Sequence, residues 1–170
     1  MQRILIIGCS GSGKSTLARR LGEQLDLPRI HLDQHYWHPG WIESEKPAWE
    51  AKVKELVAQP QWVMDGNYSS TFHLRFPRAD TVIFLDMPTY RCFWRILKRL
   101  WQYRGRTRPD MPENCPERAD WQFWHYVLTY NITRRKGILK KLEAEKDRMQ
   151  VLHLRSKGEI DAWLIQEGNG

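Results

Sequence analysis

Short apolar runs alternate with longer amphipathic segments along the chain. The apolar runs have the length of strands, and their unbroken hydrophobicity is typical of parallel strands buried on both faces. Five strands are predicted, at residues 3–7, 29–32, 62–64, 81–85 and 150–154. Five helices are predicted, at residues 14–25, 47–59, 89–103, 116–145 and 158–166. The alternation predicts an α/β fold in three layers, with a five-stranded parallel sheet flanked by helices.

Two connections in this pattern are longer than those that usually join elements in a compact domain. Residues 33–46 carry Tyr36, Trp37 and Trp41 among histidines and a Pro-Gly pair, and residues 104–117 are rich in Arg, Pro and Gly. Long connections of this kind often bind ligands or close over them. We interpret the first as a loop that holds a second substrate and the second as a lid. The alternative is that the aromatic side chains of the first simply pack over the core.

The segment between the first strand and the first helix reads Gly-Cys-Ser-Gly-Ser-Gly-Lys-Ser, which fits the P-loop pattern GxxxxGK[ST]. Its glycines let successive N–H groups point inward, and the helix that follows presents its positive end to the same place. In this pattern Lys14 contacts the β- and γ-phosphates of ATP or GTP, and the Ser15 hydroxyl binds Mg²⁺. The predicted nucleotide-binding residues of the loop are Gly8, Cys9, Ser10, Gly11, Ser12, Gly13, Lys14, Ser15 and Thr16.

Three aspartates, Asp33, Asp65 and Asp86, follow three of the predicted strands. Ligands of open α/β sheets bind beyond the carboxyl ends of the strands, so each of the three carboxylates is a candidate for the same site. Asp65 is predicted to hold Mg²⁺ together with Ser15. Asp33 is predicted to contact an acceptor hydroxyl as a base or an orienting group. The alternative for each is a helix cap or a turn former.

Arginines recur every fourth residue in the predicted helix 89–103, whereas its apolar residues follow the spacing of a buried stripe. The two sets are therefore expected on opposite faces. The basic series continues into the predicted lid, and arginines of a closing lid can stabilise the charge of a phosphoryl group in transfer. The arginines predicted to act in this way are Arg95, Arg99, Arg106 and Arg108. The alternatives are a solvated basic face, or a nucleic-acid surface that also uses Arg134, Arg135 and Lys136.

The composition is that of one globular domain over residues 1–170, with 41% hydrophobic and 28% charged residues. The net charge of +7 favours anionic partners without choosing among nucleotides, phosphorylated metabolites and nucleic acids. The three cysteines form no CxxC pair, so free thiols are expected. No apolar run approaches the length of a membrane span, and the N-terminus lacks the features of a signal peptide, so a cytoplasmic protein without a membrane partner is expected.

Several segments resemble the adenylate-kinase-like nucleoside and nucleotide kinases, which begin with a P-loop on the first strand. A closer resemblance is to the short proteins called adenylate kinase-related or DNA topology modulation (FlaR-like) proteins. It is carried by His31-Leu32-Asp33, Tyr36-Trp37, Pro39-Gly40-Trp41, Asp65-Gly66-Asn67-Tyr68-Ser69 and the segment 104–110. The resemblance implies that Tyr36, Trp37, Trp41, Asn67 and Tyr68 bind the acceptor. It also implies that Arg155, Ser156, Lys157 and Gly158 lie beside the nucleotide base.

The chain departs from the adenylate kinases after Asp65-Gly66, where they have Phe-Pro-Arg and this sequence has Asn-Tyr-Ser. Their arginine grips the phosphate of the acceptor nucleotide, so the acceptor is left open here. Arg75 or Arg78 is the candidate substitute, and the alternative for each is a solvated surface charge. The sequence therefore predicts an ATP-dependent kinase that acts on a small acceptor. The second hypothesis is a nucleotide-dependent regulator that binds DNA or RNA. The oligomeric state is left open.

Overall fold

The computed structural model describes residues 1–108 and 110–168, so Pro109 of the predicted lid and residues 169–170 of the predicted domain lie outside the described residues. In chain order the elements are β1 (Arg3–Gly8), α1 (Lys14–Gln24), β2 (Arg29–His31), α2 (Leu32–Tyr36), β3 (Trp37–His38), β4 (Ile42–Glu43), α3 (Lys46–Ala58), β5 (Trp62–Asp65), α4 (Phe72–Arg75), β6 (Thr81–Leu85), α5 (Thr89–Gln102), α6 (Trp121–Thr133), α7 (Arg135–Glu145), β7 (Gln150–Leu154) and α8 (Lys157–Gly168). Short 3-10 turns at Ser69–Thr71 and Phe76–Arg78 flank α4.

The five predicted strands form one parallel sheet in the order β2-β5-β1-β6-β7, which confirms the predicted fold class. The central strand β1 is buried from Ile4 onward because it has a strand on each side and helices cover the sheet. Its register pairs Ile6 with Asp65 on β5 and Gly8 with Leu85 on β6. The carboxyl end of β1 therefore delivers the P-loop to a point between these two strand ends.

The prediction of one helix over residues 116–145 is wrong. Residues 116–120 are irregular, and Asp120 caps α6 by accepting a hydrogen bond of 2.8 Å from the Phe123 N–H. A second break falls at Arg134, between α6 and α7. This break allows the next residue, Arg135, to form an ion pair with Asp86 at 2.8 Å. Tertiary contact therefore competes with helix propensity at this point.

The segment 33–46 is not the irregular loop that the sequence predicts. The short helix α2 runs directly into a hairpin of β3 and β4, in which Trp37 faces Glu43. The turn of this hairpin rests on the predicted lid, since the N–H of Gly40 donates to the Asn114 carbonyl at 3.1 Å and the indole of Trp41 donates to the Pro116 carbonyl at 3.0 Å. Elements this short show no periodicity that a sequence pattern can reveal.

Two further expectations concern the cysteines and the membrane. Cys9, Cys92 and Cys115 are buried and form no disulfide among the described residues. No described helix combines the length and the apolar character that a membrane span requires.

Candidate active site

The P-loop folds as a tight cradle because two of its glycines have no room for a side chain. Gly8 has a φ of 152°, and a Cβ there would lie 2.5 Å from the Leu85 carbonyl oxygen. Gly11 has a φ of 76°, and its Cβ would lie 2.5 Å from the carbonyl oxygen of Cys92 on α5. Both positions require glycine, since other residues would meet a steric and a conformational penalty.

The cradle opens into a cavity of about 1530 Å³ at the carboxyl edge of the sheet. The loop residues that line this cavity are Ser10, Gly11, Gly13, Lys14, Ser15 and Thr16. The loop residues Cys9 and Ser12 are buried. Lys14 donates through Nζ to the Cys9 carbonyl at 3.0 Å, which holds the ammonium group over the loop. Because α1 begins at Lys14, its N-terminal N–H groups and this ammonium present positive charge to the same space.

Ser15 and Asp65 come together as the sequence predicts for a magnesium site. The Ser15 hydroxyl donates to Oδ2 of Asp65 at 2.8 Å, and the Asp65 carboxylate is almost fully buried at the end of β5. Hydroxyl and carboxylate oxygens are ligands that suit Mg²⁺, which usually takes the rest of its shell from phosphates and water. The described part of the chain contains no group of three or more His, Cys, Asp or Glu side chains arranged for a metal. With one hydroxyl and one carboxylate, the Ser15–Asp65 pair suits an ion that takes its remaining ligands from phosphates and water.

His31 is a member of the site that the sequence reasoning missed. Its Nδ1 contacts Oδ1 of Asp65, and its ring lines the cavity. The hydrogen bond with Asp65 raises the pKa of His31, although burial acts in the opposite direction. The signal in the sequence was its place as the last residue of a predicted buried strand, two residues before Asp33.

Asp33 does not follow a strand directly, because β2 ends at His31 and Asp33 lies in the first turn of α2. Its side chain lines the cavity and accepts a hydrogen bond of 2.6 Å from the Tyr68 hydroxyl. The N-cap position of α2 belongs to His31, which argues against a capping role for Asp33. Burial raises the pKa of Asp33, and the Tyr68 hydrogen bond offsets part of this effect. The result is a carboxyl group with an elevated pKa next to the predicted phosphate site.

The aromatic residues of α2 and the hairpin form a cluster with Tyr68. Ring centroids are 4.6 Å apart for Tyr36 and Tyr68, 5.1 Å for Tyr36 and Trp37, and 5.2 Å for Trp37 and Trp41. All four side chains line the cavity. The cluster also packs on Trp49 of α3, 5.1 Å from Tyr36, so it covers the core as well as facing the cavity.

Asn67 links the P-loop to helix α6. Its Oδ1 accepts a hydrogen bond of 3.0 Å from the Gly8 N–H, and its Nδ2 donates to the Tyr126 hydroxyl at 2.6 Å. Asn67 and Tyr126 both line the cavity. Asn67, predicted to bind the acceptor, therefore also holds the P-loop in position through Gly8.

Arg75 does not lie in the cavity, and its prediction as an acceptor contact is wrong. Its side chain is completely buried, and its guanidinium donates to the carbonyls of Gly66, Asn67 and Tyr68 and to the Thr71 hydroxyl. Burial lowers its pKa to about 9. The guanidinium satisfies the backbone of the turn after β5, so it fixes the residues that do line the cavity.

Three of the four predicted arginines reach the cavity. Arg95 donates through Nη1 to the Ser12 carbonyl at 2.9 Å. Arg99 and Arg108 share the buried carboxylate of Glu117, at 2.7 Å from Oε1 and 2.5 Å from Oε2 respectively. Arg108 also pairs with Asp110 at 2.9 Å.

The fourth predicted arginine, Arg106, is exposed and is not among the cavity-lining residues, so the structure does not bring it to the site. Glu117 is the residue that the sequence reasoning missed in this region. One buried carboxylate between two guanidiniums offsets their mutual repulsion and holds both at the cavity wall.

The expectation that the arginines of α5 lie opposite the buried stripe is also wrong. The residues of α5 that are fully buried are Cys92 and Ile96, rather than Phe93, Leu97 and Leu100, which are half-buried. At 100° per residue, Arg95 and Arg99 lie within about 60° of Cys92. The arginines therefore flank the buried stripe and point along it towards the P-loop.

Asp86 and the segment 155–158 lie at the same sheet edge but outside the cavity. Asp86 binds Arg135 at 2.8 Å and His153 at 2.7 Å. Ser156 donates to Glu159 at 3.0 Å, and the N–H of Arg155 donates to the same carboxylate at 2.8 Å. The structure therefore does not bring Arg155, Ser156, Lys157 and Gly158 to the predicted nucleotide site.

Comparisons with known proteins agree with this architecture. A family model described as AAA domain (AAA_18) matches residues 4–125. No curated protein sequence matches the chain significantly. Among solved structures, shikimate kinase from Acinetobacter baumannii in complex with shikimate is similar, with a TM-score of 0.59, 17% identity, and coverage of 98% of this chain and 90% of that chain.

Two further solved structures are similar over the whole chain. Deoxyadenosine kinase from M. mycoides has a TM-score of 0.52 and 15% identity, and 98% of each chain is covered. A gluconokinase from Sinorhizobium meliloti 1021 has a TM-score of 0.50 and 17% identity, with 99% of this chain and 94% of that chain covered. At such low identities the similarity establishes a shared fold.

Proposed function

Because this chain belongs to the AAA_18 family of AAA domains, we propose that it is a kinase that binds ATP or GTP with Mg²⁺ and transfers the γ-phosphoryl group to a small acceptor. The observation that carries the proposal is one cavity with two chemically different walls. One wall consists of the P-loop, the Ser15–Asp65 pair and the three arginines, and the other of Asp33 and the aromatic cluster. The first wall suits a triphosphate. The second offers a carboxyl group beside stacked aromatic rings, with the Arg118 guanidinium 4.9 Å from the centroid of the Trp41 ring.

The phosphate wall supplies positive charge before a nucleotide arrives. The ammonium group of Lys14 and the N-terminus of α1 would hold the β- and γ-phosphates, and Ser15 and Asp65 would hold the ion. An ion held by Ser15 and Asp65 would neutralise part of the charge of the phosphates. His31 fixes the orientation of the Asp65 carboxylate through the oxygen that Ser15 does not use.

Asp33 is positioned to accept the proton of the acceptor hydroxyl. In the transfer, an acceptor hydroxyl oxygen forms a bond to the γ-phosphorus while the bond from that phosphorus to the β–γ bridging oxygen breaks. The hydroxyl proton moves to the Asp33 carboxylate, which its elevated pKa makes a stronger base than an ordinary aspartate. The Tyr68 hydroxyl holds the carboxylate through one oxygen, which leaves the other for the acceptor.

Arg95, Arg99 and Arg108 are the candidates for stabilising the transferring group. Negative charge spreads over its three equatorial oxygens in the transition state, and preorganised guanidiniums would stabilise that charge. Glu117 holds two of these guanidiniums in place without a ligand. These ion pairs join the predicted lid, which carries Arg108 and Glu117, to Arg99 on α5.

The finer expectation of a FlaR-like, topology-modulating protein stays a prediction. A nucleic-acid surface would draw on the same arginines, but Arg95 binds the P-loop, Arg99 and Arg108 bind Glu117, and Arg135 binds Asp86. These internal contacts favour the kinase over the regulator. Binding of single- and double-stranded oligonucleotides across salt concentrations tests the second hypothesis, since phosphate contacts weaken steeply with salt.

The experiment that tests the kinase proposal is an acceptor screen. The protein is incubated with ATP and Mg²⁺ in the presence of nucleosides, nucleotides, sugar acids and polyols, and ADP formation is compared with the background in water. We expect at least one class to raise ADP formation in the parent and not in Lys14→Ala. If no acceptor raises it and Lys14→Ala binds ATP as tightly as the parent, the proposal is wrong.

A further inference from the structure

Helices α5 and α6 carry an exposed apolar surface on the side away from the cavity. Four residues of this surface are exposed by two thirds or more: Trp101 by 81%, Ile132 by 79%, Trp121 by 78% and Trp94 by 66%. Tyr90 and Leu128 are also exposed. We call these six residues the α5–α6 face. Such large exposed side chains are unusual in a soluble monomer when they are contiguous.

The six residues form two stripes that run side by side. On α5, residues 90, 94 and 101 follow helical spacing, and on α6 so do residues 121, 128 and 132. The helices are antiparallel neighbours, because Asn131 donates to Thr89 at 2.9 Å and the rings of Phe93 and Trp124 are 5.0 Å apart. The stripes flank this seam, so the face is one surface, about 20 Å long.

The size of the face matches one side of a protein interface. Large aromatic side chains bury on the order of 150–250 Å² each. Four aromatic and two aliphatic residues that are 49% to 81% exposed therefore offer a surface on the order of 800 Å². A standard interface needs about that area from each partner.

The charge pattern favours an apolar occupant. Helix α6 contains no Asp, Glu, Lys or Arg. Apart from its tyrosines, the titratable side chain of α6 is that of His125, which lies beside the stripe. On α5 the exposed cations Arg91 and Lys98 lie beside the stripe rather than within it. Depletion of charge in the centre with cations at the rim is typical of protein interfaces. A nucleic-acid platform would need cations interleaved with the rings on both helices.

We propose that the α5–α6 face binds a second copy of this chain. An apolar surface without a fixed pattern of charges can pair with itself about a two-fold axis, and two antiparallel helices from each copy would form a four-helix contact. The active cavity stays open in this arrangement, because Arg95 and Arg99 on α5 and Tyr126 on α6 face the other way. The same two helices thus carry cavity residues on one side and the proposed partner on the other.

The test is sedimentation velocity and equilibrium of the full chain from low micromolar to several hundred micromolar concentration. We expect the parent to have a mass of two chains in these measurements. Ile132→Glu and Trp94→Glu place a carboxylate on the face and should halve that mass. The matched control is Ile165→Glu, which changes an isoleucine of similar exposure on α8, outside the face, and should leave the dimer intact. Circular dichroism of each variant verifies that it is folded, so that a change in mass reports association.

Three results would overturn the proposal. The first is a parent that stays monomeric over the whole concentration range. The second is a dimer that survives both face variants. The third is a monomer that binds vesicles of mixed phosphatidylcholine and phosphatidylserine, or an oligo-thymidine strand, and loses that binding in Ile132→Glu, because the occupant would then be a membrane or a nucleic acid.

Discussion

At the scale of single residues, Lys14 is predicted to contribute strongly to nucleotide binding by the P-loop. Lys14 supplies the one side-chain ammonium in the predicted cradle, and a hydrogen bond to a charged group contributes about 1.5–3 kcal/mol. We expect Lys14→Ala to weaken ATP binding by about ten- to a hundredfold in calorimetric titration with Mg²⁺. Lys52→Ala is the control, because Lys52 pairs with Glu55 on α3 and does not line the cavity. Equal affinities of Lys14→Ala and the parent would exclude the P-loop as the nucleotide site.

The pair of Asp33 and Tyr68 makes a prediction about pH. Asp33 acts as a base only when it is ionised, so turnover rises as pH increases through its pKa. Tyr68→Phe removes a hydrogen bond that lowers this pKa, and we expect the acid limb of the kcat/KM profile to move to higher pH. The nearby charges of Asp65, Lys14 and Arg108 are the same in both proteins.

Tyr36→Phe is the matched control for this measurement, because the Tyr36 hydroxyl donates to Glu43 on the hairpin. Its acid limb should coincide with that of the parent. If the acid limb of the kcat/KM profile is unchanged in Tyr68→Phe, Asp33 is not the base that accepts the proton of the acceptor.

Arg75 is expected to matter for stability. Arg75→Met would leave the carbonyls of Gly66, Asn67 and Tyr68 buried without donors, and each such loss costs about 1–3 kcal/mol. We expect the free energy of unfolding to fall by about 3 kcal/mol or more in urea titrations. Arg78→Met is the comparison, because Arg78 is exposed and donates to the Val57 carbonyl at 3.2 Å. Equal midpoints for the two variants would contradict the role of Arg75.

At the scale of elements, the predicted lid allows a test that distinguishes ATP binding from catalysis. Arg108 lines the cavity and Arg106 is exposed on the same loop, so the pair offers a matched comparison. We expect Arg108→Gln to lower kcat by about 10²-fold while ATP affinity changes much less, since its guanidinium would act mainly in the transition state. Arg106→Gln should behave like the parent. Similar kcat values for both variants at saturating substrate would rule out the lid mechanism.

The elements also mark where sequence patterns stop being informative. The buried strands were predicted within one residue at each end because continuous apolar runs have few alternatives. The hairpin of β3 and β4 was missed, since two-residue strands have no period. The helix 116–145 was predicted without breaks because its pattern does not contain the ion pair that pulls Arg135 to Asp86.

At the scale of the whole molecule, Asp86 joins the sheet to helix α7. Burial raises the pKa of Asp86, but the hydrogen bonds from Arg135 and His153 outweigh it, so the pKa is lowered overall. A lowered carboxyl pKa contributes stability above the pKa of the unfolded state, and this contribution is lost as pH falls through the folded pKa. We expect Asp86→Asn to lower the free energy of unfolding by about 1–3 kcal/mol at pH 7.

The difference in the free energy of unfolding between Asp86→Asn and the parent should become smaller at acidic pH. Urea titrations at neutral and acidic pH would measure it. Asp161→Asn provides the reference, because Asp161 forms an exposed pair with Arg20 and should contribute little. A difference that is independent of pH would mean that the charge of Asp86 is not what stabilises the fold.

The sequence by itself determined the sheet, the P-loop and the Ser15–Asp65 pair. These features depend on local hydrophobicity, on glycine conformation and on the rule that parallel strands end at one edge, and all three can be read from neighbouring positions. Only the tertiary structure decided which arginines face the cavity. Arg75, Arg106 and Arg108 have the same side chain, yet Arg75 is buried, Arg106 is exposed and Arg108 shares a carboxylate with Arg99. These differences depend on contacts between residues that are far apart in the chain.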